Sequence, residues 1–213
     1  MAIVEAVKGF EYTPVKQWFE VKPNRTTAVT LTLKRWTDMP ARGWYSGDVH
    51  MHLNHEASGV HMTMEDGRLY AQAEDIHVAN LLISNTNTSH IFDQEYFRGG
   101  KPDPRSTNSY LLVAQQEFRN NSIYGHMPLL GISKLIEPFF SGHPDTKQWE
   151  DYPPNYTIAQ AAKKQGGAVG YTHPNPVSGE FPIDLALGVV DALDINFSPE
   201  PACQLYYHVL NAA

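Results

Sequence analysis

From Trp44 onward, short apolar runs alternate with stretches of helical character, and this alternation limits the folds open to the chain. It is typical of repeated strand–helix units, which build a largely parallel sheet covered by helices. Six runs have the length and composition of core strands: residues 47–53, 78–84, 110–117, 126–132, 168–172 and 192–197. The sequence therefore predicts an α/β domain over residues 44–213.

Helices are predicted for residues 64–76, 157–165 and 199–211. Thr157 is placed to cap the second of these helices, and Gly166 with Gly167 is placed to end it. Two long loops, over residues 98–107 and 138–155, are rich in proline, glycine and aspartate.

Residues 1–43 follow a different pattern. Residues 27–34 alternate polar and apolar side chains with a period of two, after a turn-like Lys-Pro-Asn-Arg segment at residues 22–25. This pattern predicts a hairpin of an antiparallel sheet. Because so short a hairpin is not stable alone, we expect a β-rich lead-in segment that packs on the main domain or ends a larger β domain.

Composition argues against nucleic-acid and membrane partners and against a metal site built from cysteine thiolates. The chain has 16 basic and 23 acidic residues, a net charge of -7 and no basic run, so nucleic acid is not an expected partner. It has neither a run of about 18 apolar residues nor a signal-peptide pattern, so no membrane partner is expected and a cytoplasmic location is the default. Cys203 is the only cysteine, so any metal must be held by nitrogen and oxygen.

The segment GDVHMH, residues 47–52, places two histidines two positions apart in a predicted strand. Side chains two apart on a strand share a face, so His50 and His52 lie about 6 to 7 Å apart at their Cα atoms and can ligate one ion or two neighbouring ions. Taken alone, such a pair is equally compatible with hydrogen-bonded structural histidines.

Other polar residues occur near the ends of the predicted strands. Glu117 ends an apolar run, where a carboxylate is costly unless it is paired or binds metal. His173 follows one strand and His126 begins another. If the strands are parallel, their C-terminal ends meet on one face, so Glu117 and His173 are expected near His50 and His52, whereas His126 sits at the start of its run. Neutral imidazoles joined by a bridging carboxylate suit Zn, Mn or Fe in a hydrolytic site.

Four segments occur in the order WYSGDVHMH (residues 44–52), QEFR (116–119), GHMPLLG (125–131) and GGAVGYTHP (166–174). They resemble motifs of the polymerase-and-histidinol-phosphatase (PHP) superfamily, in particular of its carbaryl-hydrolase-like branch of metallohydrolases. The resemblance covers residues 44–197, and residues 1–43 resemble the β-rich lead-in of that branch. It implies a PHP-like distorted (β/α)7 barrel.

The resemblance also implies a metal centre. Carried over by position, His50, His52 and Glu117 would hold one metal ion, and Glu117 would bridge to a second ion supported by His126 and His173. The implied cofactor is therefore two or more divalent ions, Zn, Mn or Fe.

Two departures from the family pattern affect this expectation. Asn85-Thr86-Asn87 stands where many members have Thr-Asp-His, so a ligand there is lost or replaced by an amide oxygen or by His90. The family's last Asp-x-His motif has no counterpart before Ala213, and six strands are one fewer than the family's seven. We therefore expect an incomplete barrel, truncated at its C-terminus, with an unpaired edge that favours a homo-oligomer.

Several further residues are expected near the centre. Arg119 is positioned to meet an anionic substrate, with an ordinary salt bridge as the alternative. Asp48 is expected to accept a hydrogen bond from a ligating imidazole, and Asp194 to line the site or form a salt bridge or turn contact. The sequence leaves open whether two asparagines ligate weakly or cap a turn: Asn85 and Asn87.

The remaining histidines form two groups. Three fall in loops near the predicted site: His55, His61 and His90. Three others are expected to be structural or exposed to solvent: His77, His143 and His208.

The leading functional hypothesis is a metal-dependent hydrolase of a small anionic or ester substrate. Metal-activated water would attack a phosphoester or a carboxyl or carbamate ester, with Glu117 and Arg119 as the catalytic side chains. The alternative is a catalytically impaired metal-binding remnant that acts as an oligomeric structural or binding protein. A third hypothesis, a sugar- or protein-binding module built on the lead-in segment, would leave the histidine motifs unexplained.

Overall fold

The computed structural model describes residues 1–54, 60–120, 124–173 and 179–194, together with Tyr207 and Asn211. The strands in these ranges are β1 (Ala2–Ala6), β2 (Tyr12–Thr13), β3 (Val15–Phe19), β4 (Lys34–Arg35), β5 (Gly47–Met51), β6 (Val78–Ile83), β7 (Leu111–Asn120), β8 (His126–Leu130), β9 (Phe140–Ser141), β10 (Ala168–Tyr171) and β11 (Ala192–Leu193). The α-helices are α1 (Met64–Ala73), α2 (Asn155–Lys164) and α3 (Phe181–Ala186). None of the helices in the described ranges has the length and apolar composition needed to cross a bilayer.

Each of the six predicted core strands has a counterpart in one sheet, although residues 195–197 of the last predicted strand lie outside the described residues. Its order is β11-β10-β8-β7-β6-β5, and the two-residue β9 pairs with the far end of β7. The sheet is curled into a half-barrel, which confirms the α/β class and an incomplete barrel of six main strands within the described residues. The third predicted helix lies outside these residues except for Tyr207 and Asn211, which are helical.

The expectation of a largely parallel sheet is wrong for one central strand. The strands β5, β6 and β7 run parallel, whereas β8 is antiparallel to both of its neighbours, β7 and β10. Only five residues separate the end of β7 from the start of β8, and a parallel crossover needs about a dozen residues or more. The chain therefore turns back directly into an antiparallel pair.

Two apolar clusters hold the helices on the outer face of the sheet. One lies under α2 and includes Phe118, Met127 and Ile158, all buried. The other lies under α1, where a Cβ on Gly67 would come within 2.8 Å of the Leu53 side chain. A side chain at position 67 would push α1 away from the sheet, so this glycine permits the close approach.

The first turns of α1 and α2 are capped in different ways, one by nearby residues and one by a distant carboxylate. Thr63 and Asp66 form a capping box at the start of α1, and the helix ends at Ala73, three residues earlier than predicted. The predicted cap of α2 by Thr157 is wrong, because α2 already begins at Asn155. The Glu180 carboxylate accepts hydrogen bonds from the first two backbone N–H groups of α2, at 2.8 and 3.4 Å. A distant carboxylate thus satisfies the orphan donors and complements the helix dipole.

The lead-in segment contains two small antiparallel pairs, β1 with β3 and β2 with β4. The predicted strand over residues 27–34 is wrong, because only Lys34 lies in a strand. The period-two pattern is nevertheless visible in burial, since Val29, Leu31 and Leu33 are half-buried between exposed neighbours. Alternation therefore marks one packed face, while a strand also needs a partner for its backbone hydrogen bonds.

Asp75 ties the lead-in segment to the α/β domain. Its carboxylate is 3% exposed and pairs with the Arg35 guanidinium at 3.0 Å, while Lys8 Nζ lies 3.7 Å away. The Tyr110 hydroxyl donates to the same carboxylate at 2.9 Å. Two cations from the lead-in segment thus converge on one buried anion of the domain, which is the packing that the sequence left open.

A buried hydrogen-bond network joins β10, α2 and α3. The Tyr171 hydroxyl donates to Asp184 at 2.7 Å and accepts from the Asn155 amide at 2.9 Å. Burial raises the pKa of Asp184 from 3.8 to about 7. The folded protein therefore favours the protonated form of this carboxyl.

This raised pKa predicts a loss of stability as pH increases. The unfolded Asp184 is ionised at pH 6 and above, whereas the folded one releases its proton near pH 7. Between pH 6 and 8, the free energy of unfolding should fall by about 1.4 kcal/mol through this group. Urea denaturation of wild type and Asp184→Asn at both pH values measures the difference, with Asp191→Asn as an exposed control. An identical pH dependence in wild type and Asp184→Asn would contradict the prediction.

Candidate metal centre

The curled sheet brings the predicted ligand strands together at one edge. His50 and Glu117 come from the parallel strands β5 and β7, and His173 follows β10 by two residues. Because β8 is antiparallel, its first residue, His126, lies at the same edge: it pairs with Arg119 on β7 and bridges to Thr172 beyond β10. The start of the reversed strand β8 lies beside the C-terminal ends of its neighbours, and this is why His126 is near the other predicted ligands.

Glu117 is the buried carboxylate of the centre, and imidazole nitrogens of three histidines face it. It is 1% exposed, and its Oε1 lies 3.3 Å from His50 Nε2 and 3.5 Å from His126 Nδ1. Its Oε2 lies 3.3 Å from His52 Nε2. Burial raises the pKa of Glu117, but the contacts with His126, His50 and His52 outweigh it and hold the pKa well below the ordinary value. The buried carboxylate is therefore ionised.

His173 forms the outer side of the centre. Its ring centroid lies 5.0 Å from that of His126 and 5.6 Å from that of His50. Burial, with the neighbouring His126 and His50, lowers the pKa of His173, so the neutral form that can ligate a metal is favoured. Its φ of 33° lies in the left-handed region, a strained conformation for a residue other than glycine. Such strain is concentrated at functional sites in proteins.

The spacing of these side chains fits a metal ion. Two ligands bound at 2.0–2.2 Å to one tetrahedral ion lie about 3.4 Å from each other. The three nitrogen–oxygen distances around Glu117 are 3.3, 3.3 and 3.5 Å, longer than charge-assisted hydrogen bonds of about 2.7–2.9 Å. One donor atom from each of His50, Glu117 and His173 also lies within 4.8 Å of the others. A nitrogen and oxygen donor set of this kind suits Zn, Mn or Fe.

Backbone and side-chain acceptors orient the two histidines of the GDVHMH segment. His52 Nδ1 lies 3.1 Å from the carbonyl oxygen of Leu82 on β6, which can only accept a hydrogen bond, so Nδ1 carries the proton. Nε2 of His52 is then the nitrogen that faces Glu117, at 3.3 Å. His50 turns Nε2 toward Glu117 in the same way, and its Nδ1 faces Asp194 at 3.9 Å. Burial lowers the pKa of His50, but Glu117 and Asp194 outweigh burial and raise it.

Arg119 lies beside the Glu117 carboxylate. It is 8% exposed, its Nε lies 4.0 Å from Glu117 Oε2, and its Nη1 donates to the backbone oxygen of Asn85. Asp48 acts differently from the expectation, since its carboxylate accepts from the backbone N–H of His50 at 2.8 Å. It therefore supports the strand that carries the ligands.

The remaining candidate site residues differ in their burial and in their hydrogen-bond partners. Asn85 is buried, and its amide group donates to the backbone oxygens of Thr86 and Thr88, which is the turn-capping alternative. Three other loop candidates are exposed: Asn87, His61 and His90. The structural expectation holds for His77, which contacts Ser46 Oγ at 2.7 Å and stacks on Tyr110. Two more lie outside the described residues: His55 and His208.

His143 is a site neighbour that sequence reasoning missed. It is 1% exposed, and neither ring nitrogen has a hydrogen-bond partner among the described residues. Burial, followed by the charges of Arg119 and His126, lowers its pKa to about 4. The short strand β9 pairs with β7 at Arg119 and so carries the following loop behind this guanidinium. A two-residue strand in a long loop has no periodic pattern from which this placement could be predicted.

Comparisons of the chain with known protein families, with curated proteins and with solved structures found no match. The fold and the arrangement of the centre define an α/β protein with a candidate metal centre built from histidines and one glutamate.

Proposed function

We propose that the protein is a metal-dependent hydrolase of the PHP type, acting on a phosphoester or on a carboxyl or carbamate ester. One observation carries the proposal: the carboxylate of Glu117, 1% exposed, faces imidazole nitrogens of three histidines at 3.3–3.5 Å. An ionised carboxylate that is almost fully buried requires strong compensation, and a divalent ion provides it. The four PHP-like segments support the same reading, since each contributes one or more residues of this centre.

Five side chains would hold the ions: His50, His52, Glu117, His126 and His173. When bound, a divalent metal supplies water activated at neutral pH and polarises the scissile ester. Glu117 balances the metal charge from the buried side, and the Leu82 carbonyl keeps His52 in the ligating tautomer. Arg119 supplies fixed positive charge next to Glu117, where an anionic oxygen of the substrate can bind. This arrangement suits a small anionic or ester substrate.

Metal content tests this proposal directly. We expect one or more equivalents of Zn, Mn or Fe in protein purified without chelator or nickel resin, and almost none in His50→Ala/His52→Ala. The matched control is His61→Ala/His90→Ala, which also removes two imidazoles but only from exposed loop positions. Elemental mass spectrometry of the three proteins gives the answer. Equal metal content in wild type and His50→Ala/His52→Ala would contradict the proposed centre.

A second candidate is a metal-binding protein without turnover. It is favoured by Asn85, whose amide group is engaged with two backbone carbonyls at the place where PHP proteins have a ligand motif. A centre with fewer ligands can bind metal and still lack activity. Hydrolysis of any member of a phosphoester and carboxyl-ester panel by the metal-loaded protein, lost on chelation, would exclude this candidate.

A further inference from the structure

The two ends of the curled sheet meet at the candidate metal centre. In the main sheet, β5 and β11 are the terminal strands, with four strands between them. His50 on β5 nevertheless has its Nδ1 3.9 Å from Oδ2 of Asp194, the residue after β11. This contact crosses the open side of the half-barrel.

The backbone holds Asp194 in this place. The strand β11 runs parallel to β10 with Leu193 opposite Tyr171, and the backbone N–H of Asp194 donates to the Tyr171 oxygen at 2.9 Å. The Asp194 side chain is about one-third exposed, at 32%. In the described part of the chain, three residues have donor atoms within 4.8 Å of one another: His50, Glu117 and His173. Asp194 is not one of them. Asp194 therefore stands behind His50, outside the set of candidate ligands.

We propose that Asp194 is a positioning residue that orients His50 for metal binding. The carboxylate faces Nδ1 of His50 at 3.9 Å, and with metal bound it would close on this nitrogen and accept its proton, which leaves the Nε2 lone pair directed at Glu117. The Leu82 carbonyl does the same for His52 from the neighbouring strand. Carboxylates that hold a ligating imidazole in one tautomer also raise its strength as a ligand. This inference rests on the metal centre of the proposed function.

The contact between Asp194 and His50 joins the two terminal strands of the sheet. Because the carboxylate comes from the far end of the sheet, His50 is correctly oriented only when β11 and β5 are close together. Metal affinity should therefore depend on a residue that the sequence places 144 positions after His50. An exposed carboxylate on the same segment, Asp191, provides the matched control, since it pairs with Lys163 at 2.6 Å.

The test is the metal affinity of purified, folded full-chain variants, measured with zinc against a chromophoric chelator. Asp194→Ala should bind zinc about 10- to 100-fold more weakly than wild type, the usual effect of losing such a partner. Asp194→Asn should lie between the two, because its amide oxygen still accepts the proton. Asp191→Asn should match wild type, and His50→Ala should lose more affinity than any of them.

A second readout follows the hydrogen bond itself. In the zinc-loaded, nitrogen-labelled protein, the Nδ1 proton of His50 should give a hydrogen-bonded NMR signal that moves upfield in Asp194→Asn and exchanges away in Asp194→Ala. If Asp194→Ala does not fold, the same-sized Asp194→Asn decides the question by this shift.

Two results would overturn the inference, and they differ in what else they overturn. If the Asp194 variants keep wild-type affinity and an unchanged His50 signal while His50→Ala loses zinc, the inference fails and the metal centre stands. If wild type takes up no metal, the proposed function fails and the inference fails with it.

Discussion

Replacing Glu117 with glutamine should empty the metal centre and abolish hydrolysis. The substitution keeps the size of the side chain but removes the negative charge from a residue that is 1% exposed and faces His50, His52 and His126. Metal affinity should fall by at least about 100-fold, because a ligand is lost outright where an outer partner alone costs about 10- to 100-fold. Turnover of an ester substrate should fall by about 10³-fold or more.

The control for this variant is Asp184→Asn, the same exchange of a carboxylate for an amide at another buried position. It should retain its metal content and its turnover, because Asp184 contacts Tyr171 and lies outside the cluster around Glu117. Retained hydrolysis by Glu117→Gln would show that this glutamate does not have the proposed role.

The second large effect is expected at the junction between the lead-in segment and the α/β domain. Asp75→Ala removes the buried anion shared by Arg35 and Lys8 and leaves the Arg35 guanidinium without this partner. Because Arg35 keeps its ion pair with Glu11, the expected cost is that of lost hydrogen bonds to a charged group, about 1.5–3 kcal/mol. Urea denaturation should show a loss of this size, and limited proteolysis should cut the lead-in segment first.

Glu5→Ala is the comparison for the second effect. Glu5 and Lys16 form an ion pair at 3.1 Å within the lead-in segment, with side chains that are 46% and 60% exposed. An exposed pair contributes less than about 1 kcal/mol, so this variant should remain close to wild type. Equal losses in Glu5→Ala and Asp75→Ala would contradict the role of Asp75 as the junction residue.

The elements of the sheet could be predicted because their signals are local. An apolar run such as Val78–Ile83 must be buried wherever it lies, and its length and composition favour a strand over a helix. The left-handed φ of 80° at Gly166 likewise follows from the residue itself, since glycine has no Cβ to oppose it. The cap of α2 could not be predicted, because Glu180 is 25 positions away from Asn155 in the chain.

The direction of β8 decides at which edge of the sheet His126 lies. With β8 taken as parallel, His126 would lie at the opposite edge from the ends of β5 and β7. The connection before β8 is eight residues between the predicted strands and five in the structure, and both lengths are shorter than the dozen or so residues that a parallel crossover needs. His143 and Asp194 had no such signal, since their places depend on β9 pairing with β7 and on the curl of the whole sheet.

The α/β class, the six main strands and the residue types of the centre could be read from the amino-acid sequence, because burial and donor chemistry belong to each residue and its near neighbours. The docking of Arg35 on Asp75 and the meeting of Asp194 with His50 across the open side of the sheet depend on the whole fold. These two contacts join residues 40 and 144 positions apart in the chain. They form only when the packing of all the intervening elements has been chosen, and no local pattern contains that choice.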